Sequence, residues 1–238
     1  MTALALCAGD GAAQTAEELV AKYVSAIGGA DTIQKITTLR RSGVMKDGSD
    51  APILQENKRP DKVREEYTTQ GLTGITAYDG ATAWKISPWE GKKDPEPLGE
   101  EELRGILEDA DFDGPLVDFA RKGNTVEYAG HEDVEGTDTY KLKVRLRNGD
   151  VQYFYLDAEY CIPIRIDIQR TVRGSKHEYE TYPGDYKKVS GWYQPFSVEG
   201  NAKGSQSRWK VIYRSMQANI PIDDARFARP GAATQPHQ

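Results

Sequence analysis

At 238 residues, with 31 Lys and Arg against 37 Asp and Glu, the chain carries a formal charge of −6 and no basic stripe, which argues against a nucleic-acid partner. No run of about 18 apolar residues occurs, so no segment reads as a membrane-spanning helix. The hydrophobic fraction is only 38%, and 13 Tyr, 5 Phe and 4 Trp supply much of the packing, as expected of an antiparallel sheet with one wet face.

The N-terminus, MTALALCAGDGAA, reads as the remnant of a secretory signal, with an apolar patch at Ala3–Ala8 followed by small residues. Cleavage after Ala13 would leave Gln14 first. This places 1–13 in the signal, 14–227 in a single domain and 228–238 in a disordered tail. A lipid anchor on Cys7 is the alternative, although Leu6 is large for the position before a lipidated cysteine. If the chain is exported, Cys161 is the one cysteine left. It cannot form an internal disulfide and is expected as a buried strand residue.

Thr15–Ile27 has apolar residues at 16, 19, 20, 23, 24 and 27, the stripe of an amphipathic helix. Thr15 with Glu18 forms a capping box, and Gly28-Gly29 ends the helix. Strand patterns follow at short intervals from Leu39 to Ile86, with turns at Asp47-Gly48, Gln70-Gly71 and Asp79-Gly80. A polar, Pro-rich loop covers Pro88–Leu98. Strand patterns resume at Thr125 and continue to Ala218. The Asn148-Gly149 pair between alternating runs is the strongest hairpin signal. About eleven strands, mostly neighbours in sequence, predict a meander that twists and curls into a concave, incomplete barrel. In TYKLKVRLR, Tyr140, Leu142, Val144 and Leu146 point one way and the basic residues the other. Phe154 and Leu156 face opposite Tyr153 and Tyr155.

Between Gly99 and Gly123 the strand pattern stops and two short helices are predicted. Such an interlude must pack on a face of the sheet, which makes it a candidate lid with Gly99 and Gly123 as hinges. Leu103, Ile106 and Leu107 form a stripe on its first helix; Phe112, Leu116 and Phe119 line the second. Trp84 and Trp89 flank the approach to the interlude, and Trp192 and Phe196 surround the GWYQPF turn. These ten residues are the candidate lining of an apolar cavity, or of a core between lid and sheet. The acidic collar of Glu100, Glu101, Glu102, Glu108, Asp109 and Asp111 reads as a solvated face.

Asp109, Asp111, Asp113 and Gly114 spell the opening of a calcium loop, but Ala120 stands where the bidentate Glu is needed. The run therefore reads as a helix junction: Asp109 ends one helix, Asp113 caps the next, and Pro115 sits in its first turn. A weak calcium site is the alternative. His131, His177 and His237 lack metal spacing, and no nucleophile, zinc or nucleotide motif occurs. No cofactor, metal or catalytic residue is assigned.

Several segments carry a resemblance: AEELVAKYVSAIGGADTIQKI, YDGATAWKISPW, residues 110–159, DYKKVSGWYQPFSVE and NIPIDDARF. Over nearly the whole mature chain the sequence resembles the LolA/LolB-like outer-membrane lipoprotein-sorting family, in its broader sorting-protein-like branch. The resemblance implies a periplasmic, mainly β (α+β) protein: a curved, incomplete antiparallel barrel with an N-terminal helix and a two-helix lid. It also implies a carrier for a lipid, an acylated protein or another amphiphile, monomeric, with an envelope membrane protein as a further partner. A non-catalytic envelope interaction module with a filled core and a hydrolase of envelope lipid or glycan are the alternatives.

Overall fold

The computed structural model describes residues 15–46, 48 and 50–231. Helix α1 (Ala16–Ala26) begins at the expected capping box. The Glu18 amide donates to the Thr15 hydroxyl at 3.2 Å, and the Thr15 amide donates to the Glu18 carboxylate at 3.0 Å. Leu19 and Val20 are buried from its apolar face. At Gly28 a side chain would meet the Gly191 carbonyl 2.4 Å away, so the chain can leave the helix here only as glycine. The short α2 (Ala30–Gln34) then seats Ile33 in the core.

Two antiparallel meanders follow. The first comprises β1 (Thr38–Lys46), β2 (Asp50–Lys58), β3 (Lys62–Thr69), β4 (Leu72–Tyr78), β5 (Ala83–Ser87) and β6 (Lys92–Glu96). The second comprises β7 (Thr125–Val134), β8 (Thr137–Arg145), β9 (Val151–Asp157), β10 (Pro163–Val172), β11 (Ser175–Val189), β12 (Trp192–Ala202) and β13 (Trp209–Ala218). They join where β1 pairs with β13, giving one sheet in the order β6-β5-β4-β3-β2-β1-β13-β12-β11-β10-β9-β8-β7. The sheet has thirteen strands rather than about eleven and is not closed, as a curved incomplete barrel requires. The prediction missed β6, which lies inside the polar 88–98 segment.

This order explains the interlude. It connects β6 to β7, the two free edges of the sheet, so the chain must cross the concave mouth between them. Its first half is helix α3 (Glu100–Ala110), where the Glu102 carboxylate accepts from the Gly99 amide at 2.8 Å. The second half is not a helix, which corrects the two-helix lid. The backbone leaves the helical region at Asp111, and Gly114 and Asp118 take positive φ, so residues 111–123 fold as successive turns. Leu116 and Phe119 nevertheless pack inward, against Leu19, Leu142, Phe154 and Leu156. Phe112 and Val117 join Ile33, Leu39 and Trp192 in a second cluster.

Two further expectations are revised. Cys161 lies in a turn at φ +56°, half-buried, rather than in a strand. The tail expected from 228 is described to 231, where Arg229 donates to the Pro95 carbonyl at 2.7 Å. The signal remnant with Cys7, and residues 232–238, lie outside the described residues. Among the described residues no helix is long and apolar enough to cross a membrane.

Candidate functional site

Helix α3 is fastened across the mouth by polar contacts at both sides. On the β5 side Lys85 pairs with Glu102 at 2.6 Å. On the far side Arg104 pairs with Asp150 at 2.7 Å and Arg170 with Glu108 at 2.6 Å. The Tyr179 hydroxyl donates to Glu101. Beneath lies a partly open cavity of about 900 Å³. Strand alternation brings Met45, Ile53, Tyr67, Val198 and Val211 to the cavity.

Of the ten predicted lining residues, Trp89, Phe112 and Trp192 line this cavity. Trp89 is 46% exposed at the rim, edge-on to Tyr67 with ring centroids 5.9 Å apart. It lies over Gly74, where a side-chain carbon would stand 2.0 Å from the indole, so the tryptophan requires that glycine. Trp192 is 2% exposed and packs on Phe112.

Trp84 does not line the cavity: it alternates to the convex face, where its indole donates to the Phe227 carbonyl at 2.9 Å and Arg64 stacks over it. Ile106 is buried against Val63 and Ala110, a separate cluster. Leu103 and Leu107 are 37% and 42% exposed, on the outer side of α3. Ion pairs from Glu102, Arg104 and Glu108 fix the helix rotation so that, of its large apolar side chains, Ile106 turns inward and Leu103 and Leu107 face out. Leu116 and Phe119 belong to the core beside α1, and Phe196 packs at the edge of the Trp192 cluster, with Lys187 4.7 Å above its ring.

The cavity also holds polar groups that sequence reasoning did not assign to it. Arg41, 9% exposed, donates to the amide oxygens of Gln55 (2.8 Å), Asn57 (2.8 Å) and Gln194 (3.0 Å). Gln55 in turn donates to Glu65 at 2.7 Å, and Asn57 to the Asp109 carbonyl at 2.7 Å. A guanidinium solvated by three neutral amides is held in place without a direct carboxylate partner. Burial pulls Arg41 below its ordinary value, opposed by Tyr213, Asp109 and Glu65. Burial pushes the Glu65 carboxyl well above the ordinary carboxylate range, and Asp109 adds to the rise. Asp109 is exposed along the partly open cavity, and desolvation by the surrounding protein raises its carboxyl despite Arg41 and Arg170. Burial also raises Glu108 to about 7, against the pull of Arg170. Glu108 thus leaves the solvated collar predicted for it, whereas Asp109 lines the cavity and keeps solvent-exposed surface. One signal was available: Arg41 and Glu65 stand in the inward phase of their strands, on the same face as Leu39 and Met45 and as Val63 and Tyr67.

These shifts set a pH dependence. The folded chain holds protons on Glu65 and Asp109 that the unfolded chain releases at lower pH. Their ionisation therefore lowers stability as pH rises above the ordinary carboxylate range. Glu65→Gln keeps an acceptor for Gln55 and removes the ionisation. Urea denaturation should show the variant gaining stability over the parent at about pH 8.5 and losing that gain at about pH 4. An advantage that does not grow with pH would refute the assignment.

The three aspartates of the calcium-like run diverge. Asp113 is gripped by Arg59 through both oxygens and does not cap a helix. Asp111 pairs with Lys122 at 2.5 Å, and Asp109 belongs to the cavity. Among the described residues no cluster of metal-ligating side chains is assembled. His131 sits 3.2 Å from Asp138 and His177 3.6 Å from Glu101, and neither histidine lines the cavity.

Comparison with solved structures places this geometry. A LolA superfamily protein from Nitrosomonas europaea superposes with TM-score 0.60 at 12% identity, covering 91% of this chain and 98% of that one. The chain has the LolA-like fold. A domain from Vibrio parahaemolyticus described as an outer membrane lipoprotein-sorting protein gives TM-score 0.58 at 11% identity, covering 88% and 94%. A DUF1329 family protein from Desulfovibrio piger gives 0.53 at 13% identity, covering 91% and 98%. No family model and no curated protein matches the sequence. In this LolA-like chain the lid is one helix and a run of turns, laid from one sheet edge to the other.

Proposed function

We propose that this protein is a non-catalytic, monomeric periplasmic carrier that holds the apolar chain of a lipid, an acylated protein or another amphiphile beneath α3. The observation that carries this reading is the cavity of about 900 Å³ left between the lid and the concave face, with one wall of aliphatic and aromatic side chains. A module with a filled core would have no use for that volume, and the two described histidines lie away from it, which disfavours hydrolysis at this site. Each methylene moved from water to such a wall contributes about 0.8 kcal/mol. A chain of about 14 carbons therefore gains roughly 10 kcal/mol before ordering costs, without chemical specificity. The lipoprotein-sorting description of the Vibrio neighbour agrees with this chemistry. Titration with the uncharged fluorophore N-phenyl-1-naphthylamine tests it. Saturable enhancement at one equivalent, reversed by dodecanol, is expected; no enhancement at any concentration would overturn the reading.

A further inference from the structure

The polar end of the cavity is one-sided. Its two lining cations are occupied: Arg41 by three amide oxygens and Lys85 by Glu102 at 2.6 Å. The amide nitrogens of Gln55, Asn57 and Gln194 are spent on Glu65, the Asp109 carbonyl and the Tyr193 carbonyl. Most lining carboxylates also have cations: Asp111 has Lys122, Asp113 has Arg59, Glu108 has Arg170 and Glu66 has Arg64. Two do not. Among the described residues the Asp109 carboxylate has no hydrogen-bond or ion-pair partner, and Glu65 is met only by Gln55, through one oxygen. Both belong to the network centred on Arg41, so they stand at one place in the cavity. That place offers carboxylate acceptors without a cation, and the cations of the cavity are already engaged.

We infer that the cavity selects an amphiphile with a cationic, hydrogen-bond-donating head, an ammonium, seated against Asp109 and Glu65 with its chain along Met45, Ile53 and Val198. An ammonium brings the donors these carboxylates lack. A carboxylate or phosphate head would oppose the ionisation of Asp109 and Glu65 and form no ion pair with them, and it would have to displace the amides from Arg41 to gain a cationic partner. The two carboxyls that burial raises are those an ammonium would hold ionised.

The inference rests on the carrier reading, and one competition experiment separates the two. Bound N-phenyl-1-naphthylamine is displaced at pH 7 by dodecylamine, dodecanol or dodecanoate, each below its micelle concentration. Dodecylamine is expected to act at a concentration about tenfold below dodecanoate, with dodecanol between. In Asp109→Asn, in Glu65→Gln and most fully in the double variant, the two charged ligands should converge to within about twofold. The single variants are isosteric, so either serves if the double variant does not fold. Dodecanoate displacing as well as dodecylamine, or a preference that persists in the folded variants, overturns the head-group inference while the carrier reading stands. Failure of all three chains to displace the probe overturns both.

Discussion

Val198→Trp should weaken binding of dodecanol by about a hundredfold, whereas Ser197→Trp, one residue earlier on β12, should leave it unchanged. Val198 pairs with Val211 and Pro183 on neighbouring strands, and all three line the cavity. Ser197 alternates to the opposite face of the same strand. An indole at 198 would extend into the space that the chain occupies. Excluding about four methylenes at roughly 0.8 kcal/mol each removes about 3 kcal/mol, which is the stated factor. Val198 is only half-buried, so the larger side chain enters free volume rather than packed core, and the thermal midpoint should move little in either variant. Displacement titration and thermal unfolding of the pair supply the measurement. Loss in Ser197→Trp but not in Val198→Trp would mean that the ligand sits on the convex face, and no loss in either would place it away from β12.

Much of this architecture is legible in the chain because the informative residues are local. The Thr15–Glu18 box starts α1, Asn148-Gly149 turns β8 into β9, and the alternation of Leu142 and Val144 with basic residues assigns their face. β6 is not legible, because KKDPE is an edge strand whose polar, proline-containing sequence has no face to bury. The second lid helix was expected from apolar residues at 112, 116 and 119. The left-handed conformations at Gly114 and Asp118 are what convert that spacing into turns. The candidate site was least legible. Arg41, Glu65 and Asp109 come from β1, β3 and α3, and each alone reads as a surface residue. Only the curl of the sheet and the crossing of α3 bring them to one place. Trp84 shows the converse. Its size and position near the interlude suggested a ligand, but one step of strand phase puts it under the C-terminal Phe227 instead.

Arg59→Met should cost about 3–5 kcal/mol of stability, and the comparison with Asp113 identifies the cause. Arg59 donates from Nε to the Ile36 carbonyl at 2.6 Å and from Nη2 to the Ile33 carbonyl at 2.9 Å. Its two Nη groups hold the oxygens of Asp113 at 2.8 and 2.7 Å, and its plane lies 4.8 Å from the Phe112 ring. One side chain at the end of β2 thus fixes the α2–β1 connection and the turn half of the lid. Asp113 is buried, so removing the cation leaves an uncompensated carboxylate and takes a donor from the Ile36 carbonyl, while the Ile33 carbonyl keeps the Ile36 amide. Arg59→Lys should recover only part of the loss, because an ammonium cannot reproduce the two-pronged grip. If Asp113 were a helix cap, Asp113→Ala would cost about 1 kcal/mol and would add independently to Arg59→Met. As the partner of a buried pair, it should instead cost several times that alone and little more in the Arg59→Met background. Urea denaturation of the two single variants and the double variant separates these outcomes. Strict additivity would show that Arg59 and Asp113 do not act as a unit.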